Sequence, residues 1–281
     1  MMRGMFAAIS GLKVHQTMLD IAANDIANVN TVGFKGERAS FKDALSQLQR
    51  GASGPSSNLG GTNALQVGLG VQLASIDKTM GSGGIQQTGN PLDLAIQGEG
   101  FFRVAEGDGG TGLGPDRLYT RAGNFTLDSG GNLVTQDGMF VVGYAFAAGI
   151  PTTTETRITV PAGGKSLSIG TDGIVSYTDA GGTLQKLAQI TLAKFPNQAG
   201  LERVSGNRFG ESNNSGPEAV GVPGDVAVGT GSLAPGAVEM SNVDLAQEFT
   251  TMITAQRGFQ ANSRVISATD EMLQQLVNLG R

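Results

Sequence analysis

A single histidine, His15, and no cysteine serve all 281 residues, so the side chains most used for nucleophilic, redox and soft-metal chemistry are nearly missing. A Ser-His-Asp relay needs its histidine beside a nucleophile, and a zinc site needs several His, Cys or carboxylate donors. His15 stands next to Gln16 in a helical pattern with no second histidine to join it, and it reads as an ordinary packed or solvated residue. Gly107-Asp108-Gly109-Gly110-Thr111-Gly112 spells the dinucleotide fingerprint, but Leu113-Gly114-Pro115 follows where a helix must open. Gly164-Lys165-Ser166 matches the end of a phosphate-binding loop, yet Thr159 stands where that loop requires glycine. Asp128, Asp137, Asp172 and Asp179 fall in turn-forming strings, where aspartate bonds its own backbone. The sequence therefore assigns no catalytic residue, no cofactor-binding residue and no metal ligand. The chain is read as a protein that is not an enzyme and has no cofactor.

Composition narrows the partners. Net charge is −5, with 24 acidic and 19 basic residues interspersed, and no Lys/Arg run marks a nucleic-acid face. The start, Met1-Met2-Arg3-Gly4-Met5-Phe6, leads into an apolar run broken by Ser10, Gly11 and Lys13, unlike a cleaved Sec signal. No stretch approaches the roughly 18 apolar residues of a membrane span. The lack of cysteine suits a chain that is unfolded in one compartment and refolded in another. Apolar residues make up 39% and aromatic residues 5%, with no Trp, which is a lean core for the length. The 44 glycines are about twice the usual share, and they crowd the middle of the chain.

Those glycines avoid two heptad stripes at the ends. Met5, Ile9, Leu12, Gln16, Leu19, Ala23 and Ile26 recur at alternating steps of four and three. Leu245, Phe249, Met252, Gln256, Phe259, Ser263, Ile266, Asp270, Leu273 and Val277 repeat the rhythm. Such a stripe turns one narrow helix face toward a partner helix. In each, one column is apolar and the other mixed. Gln16, Gln256, Ser263 and Asp270 read equally as register-setting core polars or as residues facing water or a channel. A lone helix with so narrow a stripe is marginal in water. The two ends are thus expected to be interaction elements, frayed in a dilute monomer and ordered on assembly. The first helix is expected from Gly4 to Val29. The second is expected from a capping box at Ser241-Asn242-Val243-Asp244 to Leu279, stopping at Gly280-Arg281.

Between them, residues 34–49 form a weaker segment with Phe41, Leu45 and Leu48 on one side, and 51–62 is a Gly/Ser/Pro/Asn-rich loop. From Val67 the period becomes two. Strands are expected at 70–80, 92–97, 101–105, 117–122, 124–127, 132–135, 140–146, 157–160, 167–169, 175–178 and 189–195, split by Gly-rich turns. Residues 206–236 return through another Gly/Ser/Pro/Asn-rich stretch. The fold class is α+β: terminal helices paired as a coiled-coil-like rod domain, with an antiparallel β-rich domain inserted. The domain plan is 1–80 as the N part of the rod domain, 81–234 as the β domain, and 235–281 as its C part.

Asn24-Asp25-Ile26-Ala27-Asn28-Val29-Asn30-Thr31-Val32-Gly33-Phe34-Lys35 resembles the signature that closes the first helix in the flagellar rod and hook family. Asn24, Ala27, Asn28, Thr31, Gly33, Phe34 and Lys35 are the motif positions, with Phe34 expected to pack the junction after the helix. Similar blocks follow in order: 90–102, 119–125, 133–135, 143–144, 241–245 and 252–263. Within the family the chain most resembles the hook protein, through 60–63, 67–71 and 276–279. The short stretch 147–236, notably 158–161 and 168–173, is more similar to the distal rod protein. The resemblance implies a subunit of a tubular axial structure that transmits torque from rod to filament, with the distal rod as the alternative. It implies export by the flagellar type III apparatus without a cleaved Sec signal, and a place in the hook and basal body. Its implied partners are copies of itself, neighbouring axial proteins, a hook cap and the export apparatus. The assembly residues expected are Met5, Ile9, Leu12, Leu19 and Ile26 with Leu245, Phe249, Met252, Phe259, Ile266 and Leu273. Outside the family, a secreted β-rich adhesin and a polysaccharide-acting enzyme are the rival classes.

Overall fold

The computed structural model describes residues 2–55, 60–108, 112–147, 150–161, 164, 166–179 and 181–279. Parts of both glycine-rich strings and of the 51–62 loop, together with Gly280-Arg281, lie outside them. The chain divides into two compact units: Met1–Ala27 with Glu37–Lys78 and Asp244–Arg281, and Asn28–Gly36 with Thr79–Val243.

The first unit holds two long helices, α1 (Met2–Ala27) and α2 (Leu245–Leu279). At 1.5 Å per residue they run about 39 and 52 Å. They lie side by side and antiparallel, because each step along α1 meets an earlier residue of α2. A Cβ placed on Gly11 would stand 2.5 Å from Asn262 Nδ2, and one on Gly258 would stand 2.4 Å from the His15 ring. Farther along α1, Asp25 acts electrostatically on Glu248. The cap of α2 is Asp244 rather than Ser241: Asp244 Oδ1 accepts the N–H of Ala246 at 2.9 Å and of Gln247 at 3.4 Å. Ser241 Oγ instead accepts the N–H of Val243.

Residues 37–78 form ribbons. Strand β1 (Glu37–Asp43) and strand β2 (Ser46–Arg50) replace the weaker segment expected there. Strand β3 (Leu65–Gly68) pairs antiparallel with β2, and β4 (Val71–Lys78) pairs antiparallel with β1 across a bulge at Ser40/Phe41. The 41-45-48 spacing is helical, but β1 and β2 form strands. Phe41, Leu45 and Leu48 all stay exposed. The ribbon is tied to α1 where Ser10 Oγ accepts the N–H of Val71 at 3.2 Å.

The second unit is antiparallel β. Among the described residues, its largest sheet runs in the order Leu167–Ile169, Ile174–Thr178, Leu184–Ile190, Phe140–Ala147, Phe101–Gly107, Leu113–Thr120, Arg208–Gly210, Glu202–Arg203. Successive side chains on a strand point to opposite faces. Phe102 and Leu192 accordingly join one core cluster with Val141, Ile190 and Phe125, while Phe101 and Ala193 join another with Tyr119, Phe195 and Phe209. Both faces of the central strand are therefore filled. The turns carry the expected residues: Gly131, Gly138, Gly173 and Gly182 all take positive φ. Asp128 Oδ1 accepts the N–H groups of Gly130 and Asn132, and Asp172 Oδ1 that of Ile174.

Two expectations shift. The strand placed at 157–160 lies at Ile150–Arg157, and 158–160 instead bonds to 131–133, with Leu133 N–H to Ile158 O at 2.9 Å and Val160 N–H to Gly131 O at 2.7 Å. The return 206–236 is not only loop. It contributes Arg208–Gly210, Ala219–Gly221 and Ser232–Pro235, the last paired with Leu94–Gln97. Strands of three or four residues are too short to display a period of two.

Candidate assembly site

The helix pair buries a face one residue earlier than each apolar stripe. On α1 the hidden residues are Ala8, Gly11, Val14, Ala22 and Asp25; on α2 they are Ala255 and Thr269, with Gly258 and Asn262 half-buried. The seam is made of small residues because two helices approach closely only where side chains are short. Bulk then falls outside it. Met5, Leu12, Leu19 and Ile26 are half-buried at the edge of the seam and Ile9 is exposed. On α2, Met252, Ile266 and Leu273 are half-buried, while Leu245, Phe249 and Phe259 are exposed, Phe249 by 50%. Gln16, Gln256, Ser263 and Asp270 are exposed as well. His15 packs over Gly258, and its Nδ1 is buried without a hydrogen-bond partner.

The antiparallel register also leaves α2 longer than its partner. With Gly11 beside Asn262, about two turns at the end of α2 extend past Met2. Met272, Leu276, Val277 and Leu279 are exposed there. Phe6, Ile9, Phe249, Ile253, Phe259 and Val265 are exposed as well, so among the described residues much of the bulky apolar side chain on the two helices is left uncovered.

The motif segment after α1 belongs to the second unit, where it is pinned. Asn28 Oδ1 accepts the Thr31 hydroxyl at 3.1 Å, and the Thr31 N–H bonds Asn28 O at 3.0 Å, which closes the turn. Gly33 takes φ +66°, and a Cβ on it would stand 2.5 Å from Ala122 N, so only glycine fits. Phe34 is buried with the Arg203 guanidinium 4.8 Å above its ring, and Arg203 Nη2 donates to Lys35 O at 2.9 Å. Asn207 Nδ2 donates to Val32 O, and Asn242 Oδ1 accepts the Gly36 N–H while its Nδ2 donates to Thr79 O. Asn24 and Ala27 are exposed positions on α1.

Lys35 enters a buried ionic cluster. Its Nζ donates to Glu239 Oε1 at 2.7 Å and to Gly81 O at 2.9 Å. Glu239 Oε1 also accepts the Gly83 N–H at 2.9 Å, Oε2 accepts Arg121 Nη1 at 3.2 Å, and the Glu239 carbonyl accepts the Gly33 N–H at 2.7 Å. Arg121 lies over the Phe101 ring at 5.2 Å. Burial pushes both Lys35 and Arg121 below their ordinary pKa, against the pull of Glu239. Glu239 carries no sequence signal of its own, being one acid in a short strand. Arg121 and Asn242 lie in family-like blocks without any role the residues alone reveal.

A second network lies on the same unit. Arg103 Nη2 meets Glu155 at 2.7 Å and Glu218 at 2.9 Å, Arg117 meets Glu155 at 2.9 Å, and the Tyr119 hydroxyl donates to Glu218 at 3.0 Å. Burial, with the Glu218 charge, raises the Tyr119 pKa. Every acid here is committed to a cation, an arrangement that locks strands rather than moving protons. Among the described residues no three His, Cys, Asp or Glu converge as metal donors, and no helix is long and apolar enough to cross a membrane.

Comparison with known proteins follows the same three regions. A family model described as flagella basal body rod protein matches residues 5–35, one described as flagellar hook protein FlgE/F/G D1 domain matches 95–177, and one described as flagellar basal body rod FlgEFG protein C-terminal matches 234–279. The flagellar basal-body rod protein FlgG of Bacillus subtilis (strain 168) is 48% identical over 282 residues, covering 100% of both chains. The rod protein of the same name from Agrobacterium fabrum is 36% identical over 274 residues, covering 96% of this chain and 97% of its own. The flagellar hook protein FlgE of Borreliella burgdorferi is 28% identical in an alignment of 451 residues, covering 99% of this chain and 100% of its own. A crystal structure of the Helicobacter pylori flagellar hook protein FlgE2 overlaps 31% of this chain and 26% of its own, at 22% identity and a TM-score of 0.23, too little to bear on the fold.

Proposed function

From the premise that the chain belongs to the flagellar basal-body rod and hook family, a set of axial structural proteins, we propose that it is a distal rod subunit. Such a subunit builds a stiff shaft. The observation that carries this reading is end-to-end identity of 48% to a rod protein, without the long insertion that stretches the hook alignment to 451 residues. The hook, expected first from the sequence, is therefore set second. A hook cap as partner belongs to that second reading alone.

Assembly in this proposal uses the helices in two ways. The small-residue seam pairs α1 with α2 inside one copy. The larger apolar residues beside it, Ile9, Leu12 and Leu19 with Phe249, Phe259 and Ile266, pack against other copies in a coiled-coil-like inner layer. Contacts between different patches that do not close a ring generate a helical tube. Further partners are neighbouring axial proteins and the flagellar type III export apparatus. The cysteine-free composition suits passage unfolded.

Electron microscopy of the concentrated chain, intact and lacking residues 1–30 and 241–281, tests the reading. Straight tubes from the intact chain and none from the truncation are expected. Curved tubes restore the hook, and an intact chain that stays monomeric with both helices folded ends the axial reading.

A further inference from the structure

Residues 33–36 are buried four in a row, although they belong to neither helix nor strand. The groups that hold this stretch come from far along the chain. Arg203 donates to Lys35 O across 168 positions, and Asn207 to Val32 O across 175. Lys35 reaches Glu239 across 204 positions, and the Gly36 N–H reaches Asn242 across 206. The sheet around them starts from near neighbours instead: Phe101–Gly107 pairs with Leu113–Thr120, and Ile174–Thr178 with Leu184–Ile190. Closing a loop costs more entropy the longer it is, so contacts this remote are the slowest to form from an open chain. The sheet shortens the task. Once Ala237–Glu239 has paired with Ile85–Gln87, the segment left to close runs only from Gly36 to Thr79. Glu239 needs no help from Lys35 to be in position, because Arg121 Nη1 and the Gly83 N–H already hold its carboxylate.

We propose that residues 32–36 are a strap that closes last, onto a socket presented by the folded sheet, and that the β unit stays unsealed until residues 239–242 are in place. Closure seats Phe34 beneath Arg203, brings Lys35 to Glu239, and joins the Gly33 N–H to the Glu239 carbonyl at 2.7 Å. Thr79 N–H then bonds Gly36 O at 2.8 Å, which ties off the segment. One consequence rests on the export part of the reading above. A chain that leaves a channel N-terminus first carries its strap out early and its socket out late. The β unit therefore cannot seal during transit.

Pulsed hydrogen exchange during refolding of the full-length chain from urea tests the order directly. The amides of Leu94 and Ile190, bonded to Gly123 O and Gly173 O, should be protected in an earlier phase than those of Gly33 and Gly36. Protection of Gly33 and Gly36 with the core amides, or before them, overturns the strap. K35M gives a second reading by tyrosine fluorescence. It should unfold about tenfold faster and refold at the parent's rate, as a contact absent from the transition state does. Refolding slowed in proportion to the stability lost would place the strap in the folding nucleus and overturn the proposal. If K35M does not fold, the exchange order in the parent still decides. In cells, K35M should be exported at the parent's rate. Faster export would mean that the strap closes before transit, which removes the consequence for export and leaves the folding order standing.

Discussion

The two units solve the same burial problem in opposite ways. In the β unit, strands with both faces covered consume Phe101, Phe102, Phe125, Phe195 and Phe209, so its large apolar residues are mostly inside. In the helical unit the buried apolar residues among those described are Ala8, Val14, Ala22 and Ala255, while Phe6, Phe41, Leu45, Phe249, Phe259 and Leu276 are exposed, Leu45 by 82%. A sheet alternates its side chains to two faces, and one chain folds enough material onto both. A pair of helices has one mutual seam. Making that seam from small residues brings the helices close and turns the bulk outward. The β unit is therefore expected to hold its fold alone, and the helical unit to need other copies.

The contrast can be read with two separate signals. All three tyrosines, Tyr119, Tyr144 and Tyr177, lie in the β unit, and both long helices lie in the other. Tyrosine fluorescence and ellipticity at the helix band thus report on different units. The largest effect is expected from E239Q. It leaves Lys35 and Arg121 buried without their carboxylate, which typically costs about 3–5 kcal/mol. Urea unfolding followed by tyrosine fluorescence should show that loss. A loss below about 1 kcal/mol would mean that the cluster relaxes into water and does not hold the motif segment in place.

The next effect belongs to the helix pair. Alanine in place of a helical glycine ordinarily gains about 1 kcal/mol. At Gly258 it should instead cost about 1–3 kcal/mol, since the new Cβ overlaps the His15 ring and the ring must move as a whole. Adding H15A to G258A removes the obstacle, so the double variant should melt above either single one at the helix band. Single and double variants that simply add would place the two residues out of contact.

How much of this was legible depended on what a residue type reveals. Both helices, most strands and the Asp-Gly turns follow from period and turn chemistry, which are local. The face of the helix pair does not. A pattern search weights Leu, Ile and Phe, so it finds the stripe through Leu12 and Phe259, whereas the chain pairs through Gly11 and Gly258. The motif was readable as a motif, but the partner of Lys35 was not. Glu239 lies 204 positions away in sequence, and only the fold brings its carboxylate under the lysine. The ribbon at 37–50 was obscured by an accidental helical spacing in residues that stay exposed.

The smallest effect tests whether the start of α2 is tuned for the chain alone. Glu248 sits in the first turn, where the helix dipole favours negative charge. Burial first, then the charges of Asp25 and Asp244, nevertheless hold its pKa above the ordinary 4.5. The folded helix pair thus binds this proton more tightly than the unfolded chain does. Between pH 4.5 and the raised value the native state carries more protons, so stability falls as pH rises through that window, and the deficit persists above it. E248Q removes the titration. At neutral pH it should be more stable than the parent by less than about 1 kcal/mol, because the side chain is only half-buried and water screens part of its charge. The two chains should converge as the pH is lowered toward 4.5. Parallel melting curves across that range would show that the three acids do not feel one another, and that the N-terminus of α2 is already satisfied without a neighbour.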